Sequence, residues 1–92
     1  MIKFKLVIKD SVSGEEVREV EIDEQIEAYA KDKSYDILLA ETQDLHNGDY
    51  TGELYRWMPN IRQWNAVEAP VIACNVKDGV SELIVKRVDH HA

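Results

Sequence analysis

Two runs of alternating residues, joined by five residues of turn chemistry, open the chain and constrain its fold more than any other feature. Ile2, Phe4, Leu6 and Ile8 fall on one side of an extended backbone and Lys3, Lys5 and Lys9 on the other, with Val7 the exception. A period of two is that of a half-buried strand. Asp10-Ser11-Val12-Ser13-Gly14 follows, residues that bond their own backbone or accept left-handed geometry. Residues 15–22 then alternate again, with Arg18, Val20 and Ile22 on one side and Glu15, Glu19 and Glu21 on the other. Folded back as a hairpin, the lysines of the first run meet the glutamates of the second. Cross-strand charge pairs of this kind contribute roughly 0.2–1 kcal/mol each and help to fix register.

Asp23 is a candidate helix N-cap, with Glu24 and Glu27 in the first turn, where the helix dipole favours anions. Ile26, Tyr29 and Ala30 follow at helical spacing, Lys33-Ser34 interrupts, and Tyr35, Leu38, Leu39, Thr42 and Leu45 resume the pattern. His46-Asn47-Gly48 suits a helix end. Asn-Gly is also a two-residue hairpin signal, so residues 35–40 are open to either helix or strand. The spacing predicts one helix, or two short ones, across 24–46. Beyond it, Glu53–Met58, Arg62–Val67, Val71–Lys77 and Val80–Val88 read as strands, with Pro59-Asn60, Pro70 and Asp78-Gly79 as breaks, and 89–92 as a flexible tail. The expectation is a single α+β domain over 1–92, in the order β-β-α-β-β-β-β, its mostly antiparallel sheet covered on one face by helix.

At 92 residues, 45% of them hydrophobic, such a domain can bury a modest core. No apolar run approaches the ~20 residues of a membrane span, and the first residues lack the apolar stretch of a signal peptide. One cysteine supplies neither an internal disulfide nor a Cys-based zinc site. A soluble protein of a reducing compartment is therefore expected, with no membrane partner. The net charge of −7 is concentrated: residues 10–53 hold fourteen acids against Arg18, Lys31 and Lys33, and the stretch 15–27 holds seven against one. A single-sign field of this kind repels nucleic acid and speeds encounter with basic partners. No basic stripe with interleaved aromatics is present, so direct duplex DNA binding is not expected.

Candidate chemistry is sparse. His46 between Asp44 and Asp49 fits no metal-ligand spacing, and Asp89-His90-His91 lies in the tail. Cys74 sits between Ile72 and Val76 in an apolar strand, as a small buried hydrophobe does. Ser11 and Ser13 lack the surroundings of a nucleophile elbow, and four isolated glycines make no phosphate loop. Neither an enzyme nor a metal or cofactor site is expected. Tyr55, Arg56, Trp57, Ile61 and Arg62 carry more information, because aromatic and Arg residues dominate interface hot spots. Trp57 and Trp64 either close the core across a hairpin or present a binding edge. Tyr55, Arg56, Trp57, Ile61 and Arg62, with the acidic set Glu15, Glu16, Glu19, Glu21 and Glu24, are the candidate partner-binding positions.

The strand start Met1-Ile2-Lys3-Phe4, the acidic stretch 15–27 and the segment Glu53-Leu54-Tyr55-Arg56-Trp57 together resemble the small phage-encoded anti-CRISPR proteins. That resemblance implies a stoichiometric inhibitor, cytoplasmic in an infected bacterial host. Its implied target is a Cas protein or RNA-guided complex, whose surface is basic because it holds nucleic acid. Target DNA would be blocked by charge and shape, and Lys3, Lys5, Lys9, Arg56 and Arg62 leave room for a guide-RNA contact within the complex. The alternatives are an immunity protein or antitoxin for a basic nuclease, and a small phage structural or assembly protein.

Overall fold

A computed structural model describes residues 3–68 and 71–84. Its order is β1 (Phe4–Asp10), β2 (Glu16–Ile22), α1 (Glu27–Thr42), β3 (Gly48–Met58), β4 (Gln63–Ala66), β5 (Ile72–Lys77) and β6 (Val80–Leu83). This is the expected α+β class and order. Met1, Ile2, Pro70, residues 85–88 of the predicted last strand and the predicted tail 89–92 lie outside the described residues.

All six strands form one antiparallel sheet, in the spatial order β2-β1-β3-β5-β6. The long β3 holds it together. Along one side it pairs with β1; along the other, its first half pairs with β5 and its second half with β4. The β1–β2 hairpin forms as the alternation predicts, with Phe4 opposite Ile22 and Leu6 opposite Val20. Asp10 closes its turn: the Oδ1 atom accepts the N–H of Val12 at 2.8 Å and of Ser13 at 3.1 Å. These backbone bonds hold the Asp10 carboxyl below its ordinary value. Gly14 takes a φ of 75°, a region open to glycine without steric cost. The register shifts between Ile8 and Lys9, where Val17 is the extra residue on β2.

Alternation assigns the faces. Phe4, Leu6, Ile8, Ile22, Tyr50, Leu54, Ile72, Cys74 and Val76 are buried with Ala30 and Leu38 in the core beneath α1. The burial of each large aliphatic or aromatic side chain contributes about 1.5–3 kcal/mol. Gly52, in the middle of β3, belongs to the same layer. A Cβ there would lie 3.2 Å from both the Leu6 Cδ1 and Ile72 Cγ1 atoms, so the glycine lets its neighbours close over the strand.

The helix departs from its predicted form. It is one helix, and residues 35–40 are part of it. It spans 27–42 rather than 24–46, with Ile26 at the N-cap and no side-chain cap bond, so Asp23 is not the cap. Glu24 is bonded to Lys33 at 2.7 Å instead. Its buried stripe is Ala30, Ser34, Leu38 and Thr42, each four residues after the last. Ser34 does not interrupt the helix, because its hydroxyl donates to the Ala30 carbonyl at 2.8 Å. Thr42 does the same to Leu38 at 2.7 Å and also meets the Ser81 hydroxyl at 2.8 Å, tying the helix to β6. Ile26 and Tyr29, predicted on the core stripe, are exposed.

The helix has no basic residue in its last turn. Arg18, reaching over from β2, supplies that cation. Its guanidinium donates to the Glu41 carbonyl at 2.7 Å and to the Asp44 carboxylate at 3.0 Å. The pairing raises the Arg18 pKa and lowers that of Asp44. A cation here satisfies a helix-end carbonyl and opposes the dipole. His46 lies past the helix, and its carbonyl accepts the Tyr50 hydroxyl at 2.6 Å. Asn47-Gly48 makes no hairpin. The Asn47 side chain accepts the Asp78 N–H at 2.9 Å and so braces the β5–β6 turn.

Candidate functional site

One helix lies over a sheet five strands wide, and the Cα atoms extend only 19 Å through the thinnest direction. That is the thickness of a single helix layer on a single sheet, whose stacked layers lie ~10 Å apart. Among the described residues nothing covers the other face of the sheet. A one-sided antiparallel sheet is ordinarily polar on its open side. This one is not uniformly so.

Over β1–β4 the open face carries alternate residues of the strands: Lys5, Val7 and Lys9 of β1, Glu19 and Glu21 of β2, Glu53, Tyr55 and Trp57 of β3, and Trp64 and Ala66 of β4. Trp57 and Trp64 are directly opposed across the β3–β4 hairpin. Their rings meet edge to face, with centroids 5.4 Å apart and planes at 60°. This geometry is worth about 0.5–1.5 kcal/mol beyond the area it buries. Both rings remain partly exposed. The two tryptophans therefore pair across a hairpin without closing the helix-side core.

Lys5 organises the centre of this face. Its ammonium lies 4.7 Å from the Trp64 ring centroid and 5.9 Å from that of Tyr55. It donates to the Glu19 carboxylate at 2.9 Å, and only 15% of its side chain is exposed. Lys5, followed by the Glu16 side chain, holds the Glu19 carboxyl below its ordinary value. The Tyr55 hydroxyl donates to Glu53 at 2.9 Å, which raises its pKa, and Lys9 stands 3.6 Å from the same carboxylate. Val7, the exception in the first alternating run, is 5% exposed on this side, apart from the main core. The surface is thus an aromatic pair and a sheltered valine, bounded by lysines already paired to acids.

The sequence candidates divide on this geometry. Glu16, Glu19, Glu21, Tyr55 and Trp57 share the open face. Glu16 reaches it through the Val17 bulge, which sets it opposite Lys9. Glu15 is in the exposed hairpin turn, and Glu24 is turned to Lys33 on the helix. Arg56 is opposite Phe4, on the helix side, and exposed. Ile61 and Arg62 form the β3–β4 turn, where Ile61 is 52% exposed and Arg62 takes a φ of 52°. Trp64 and Lys5 belong to the face but not to the candidate set. The signal for Trp64 was in the pairing, since a four-residue turn at 59–62 opposes it to Trp57, and the signal for Lys5 was the first hairpin, which turns its lysines toward the glutamates of β2.

Cys74 is fully buried, as its apolar surroundings predict, and burial pushes its thiol pKa up. Among the described residues, no three His, Cys, Asp or Glu side chains are placed to hold a metal ion. Among the described residues, no helix is long and apolar enough to cross a membrane. Comparison with protein-family models, curated proteins and solved structures returns no match to this chain.

Proposed function

We propose that this chain is a stoichiometric binding protein that inhibits a basic, nucleic-acid-handling host complex. The target class is a Cas surveillance complex, whose target-DNA groove the open sheet face would occupy. One observation carries the reading. The uncovered face joins a partly exposed Trp57–Trp64 pair to a border of glutamates on β2. Aromatic anchors ringed by charge are the composition of an interface hot spot, and the glutamates favour a surface rich in Lys and Arg. Glutamates on an outer strand also oppose pairing between copies, which disfavours the assembly-protein alternative.

The test is phage plating on CRISPR-immune bacteria with and without the protein, followed by capture of the bound complex. Expression is expected to restore plaques, and Glu21→Gln, which removes the charge without setting a second cation against Lys5, to weaken the rescue while leaving the thermal midpoint nearly unchanged. Glu21 suits this test because no ion pair involves it among the described residues, whereas Glu19 and Glu24 are held by Lys5 and Lys33. No rescue against any CRISPR type would overturn the Cas reading. Capture of a toxic nuclease in place of a Cas complex would establish the immunity-protein alternative.

A further inference from the structure

The outer edge of β2 presents backbone groups whose direction follows from the ladder. The Trp57 N–H donates to the Lys3 carbonyl, and the Ser11 N–H to that of Asp49, whereas the Asp10 N–H donates to Glu15. In an antiparallel strand, successive residues bond to opposite neighbours. Odd-numbered residues of β1 therefore bond to β3, and even-numbered ones to β2. Phe4, Leu6 and Ile8 are opposite Ile22, Val20 and Arg18, so these three residues turn their N–H and C=O groups inward. Glu19 and Glu21 turn theirs outward. Among the described residues no strand pairs with that edge.

We propose that the β2 edge binds an extended segment of the partner by strand addition, and that this segment alternates basic with apolar residues. The inference rests on the reading of the protein as a partner-binding module, and adds the form in which the partner is recognised. Residues opposite Glu19 and Glu21 would make the main-chain bonds. Their side chains would stand beside the two glutamates on the open face, where lysine or arginine fits. The intervening side chains would point to the helix side, extending the apolar row of Val20 and Ile22. Val20 is half-buried and, among the described residues, has no strand neighbour beyond it on that row. A second copy of this chain fits badly. Its own β2 would bring glutamates against glutamates, and like charges directly opposite are destabilising.

The probe is a synthetic eight-residue peptide of alternating Lys and Val, added to the full chain and followed by amide NMR and hydrogen exchange. The peptide is expected to shift resonances along β2 and to slow exchange at Glu19 and Glu21, with Val20 unchanged because its amide is already bonded. The Glu19→Gln/Glu21→Gln double variant should weaken the peptide by roughly 2- to 30-fold, the span set by two cross-strand charge pairs. Glu21→Pro removes an outward N–H without touching the β1 ladder, which an edge strand tolerates, and should abolish binding. Should that variant unfold, the exchange map of the unaltered chain decides. The proposal is overturned by no binding at millimolar peptide, by protection confined to other elements, or by full binding to a folded Glu21→Pro variant. Plaque rescue without peptide binding would remove this mode alone; peptide binding without capture of a basic complex would remove the proposed function alone.

Discussion

Replacing Thr42 by valine tests how the helix is held on the sheet. The two side chains have nearly the same shape, so the change isolates the hydroxyl. Thr42 is fully buried, and its Oγ1 atom lies 2.7 Å from the Leu38 carbonyl, 2.8 Å from the Ser81 hydroxyl and 3.5 Å from the Cys74 sulfur. With its single proton donated to Leu38, it accepts from Ser81. The Leu38 carbonyl keeps its helical N–H partner in the variant, so little is lost there. Ser81 loses its acceptor, but it is only half-buried and water can replace part of the bond. A buried hydrogen bond contributes about 0.5–1.5 kcal/mol net, and an orphaned group costs about 1–3 kcal/mol. The partial exposure of Ser81 puts Thr42→Val near the lower end, at about 1–1.5 kcal/mol. In a domain this size, 1 kcal/mol lowers the thermal midpoint by roughly 4–8 °C. Urea unfolding followed by circular dichroism should show a lower midpoint with an unchanged slope. The double variant Thr42→Val/Ser81→Ala should be less destabilised than the sum of the singles by about 0.5–1 kcal/mol. If Thr42→Val is as stable as the parent, or the two changes simply add, the hydroxyl pair contributes nothing and the helix rests on apolar packing alone.

Leu38→Ala should cost about 2–5 kcal/mol through the cavity it leaves, with a correspondingly lower urea midpoint. Gly52→Val should cost about 1–3 kcal/mol, because its branches press on Leu6 and Ile72; an unchanged thermal midpoint would mean that the central strand has slack. Cys74 should resist thiol reagents at neutral pH until the chain unfolds, so that its labelling rate follows unfolding. Its raised pKa also stabilises the fold below the ordinary thiol value, and that contribution is lost as pH rises beyond it. Glu19 and Asp44 titrate below their ordinary values in the fold. The stability they give is present above those ordinary values, 4.5 and 3.8, and is lost as pH falls through the lower folded values. Urea midpoints measured down the acid range should fall in that window, and less so in Glu19→Gln.

The alternation of residues 2–9 and 15–22 was enough to place the first hairpin and its lysine–glutamate pairs, because a half-buried strand writes its two faces directly into the sequence; the bulge at Val17, which shifts the register by one, was not legible in it. The helix was less legible for a specific reason. Two of the four residues on its buried stripe carry hydroxyls: Thr42, which the helical spacing includes, and Ser34, whose polar side chain reads as an interruption. The folded chain satisfies both locally, against carbonyls one turn back. The start was misplaced because Asp23 and Glu24 have capping chemistry, yet Glu24 is taken by Lys33 across the turn. The first half of β3 was hidden by Gly48 and Gly52, which look like turn residues and are instead a strand entry and a close approach. In the candidate site, period two identified Tyr55 and Trp57. The union of those aromatics with the acidic strand required β1 between them, and strand order is not a local property.

The bulge at Val17 makes the open face depend on a number rather than on an identity. Val17 is one residue out of count, and everything before it on β2 is turned over relative to everything after. Were the ladder to run straight through Val17, that residue would face Lys9 and Glu16 would pass under the sheet to the helix side. Any residue with a small apolar side chain could stand at 17 with little effect, and a chain lacking it would still set Glu16 opposite Lys9, because the bulged residue has no partner on β1. A residue added between Glu16 and Arg18 is the change that would keep all the same acids and lose their arrangement, so this segment should accept substitution or the loss of Val17 more readily than an insertion.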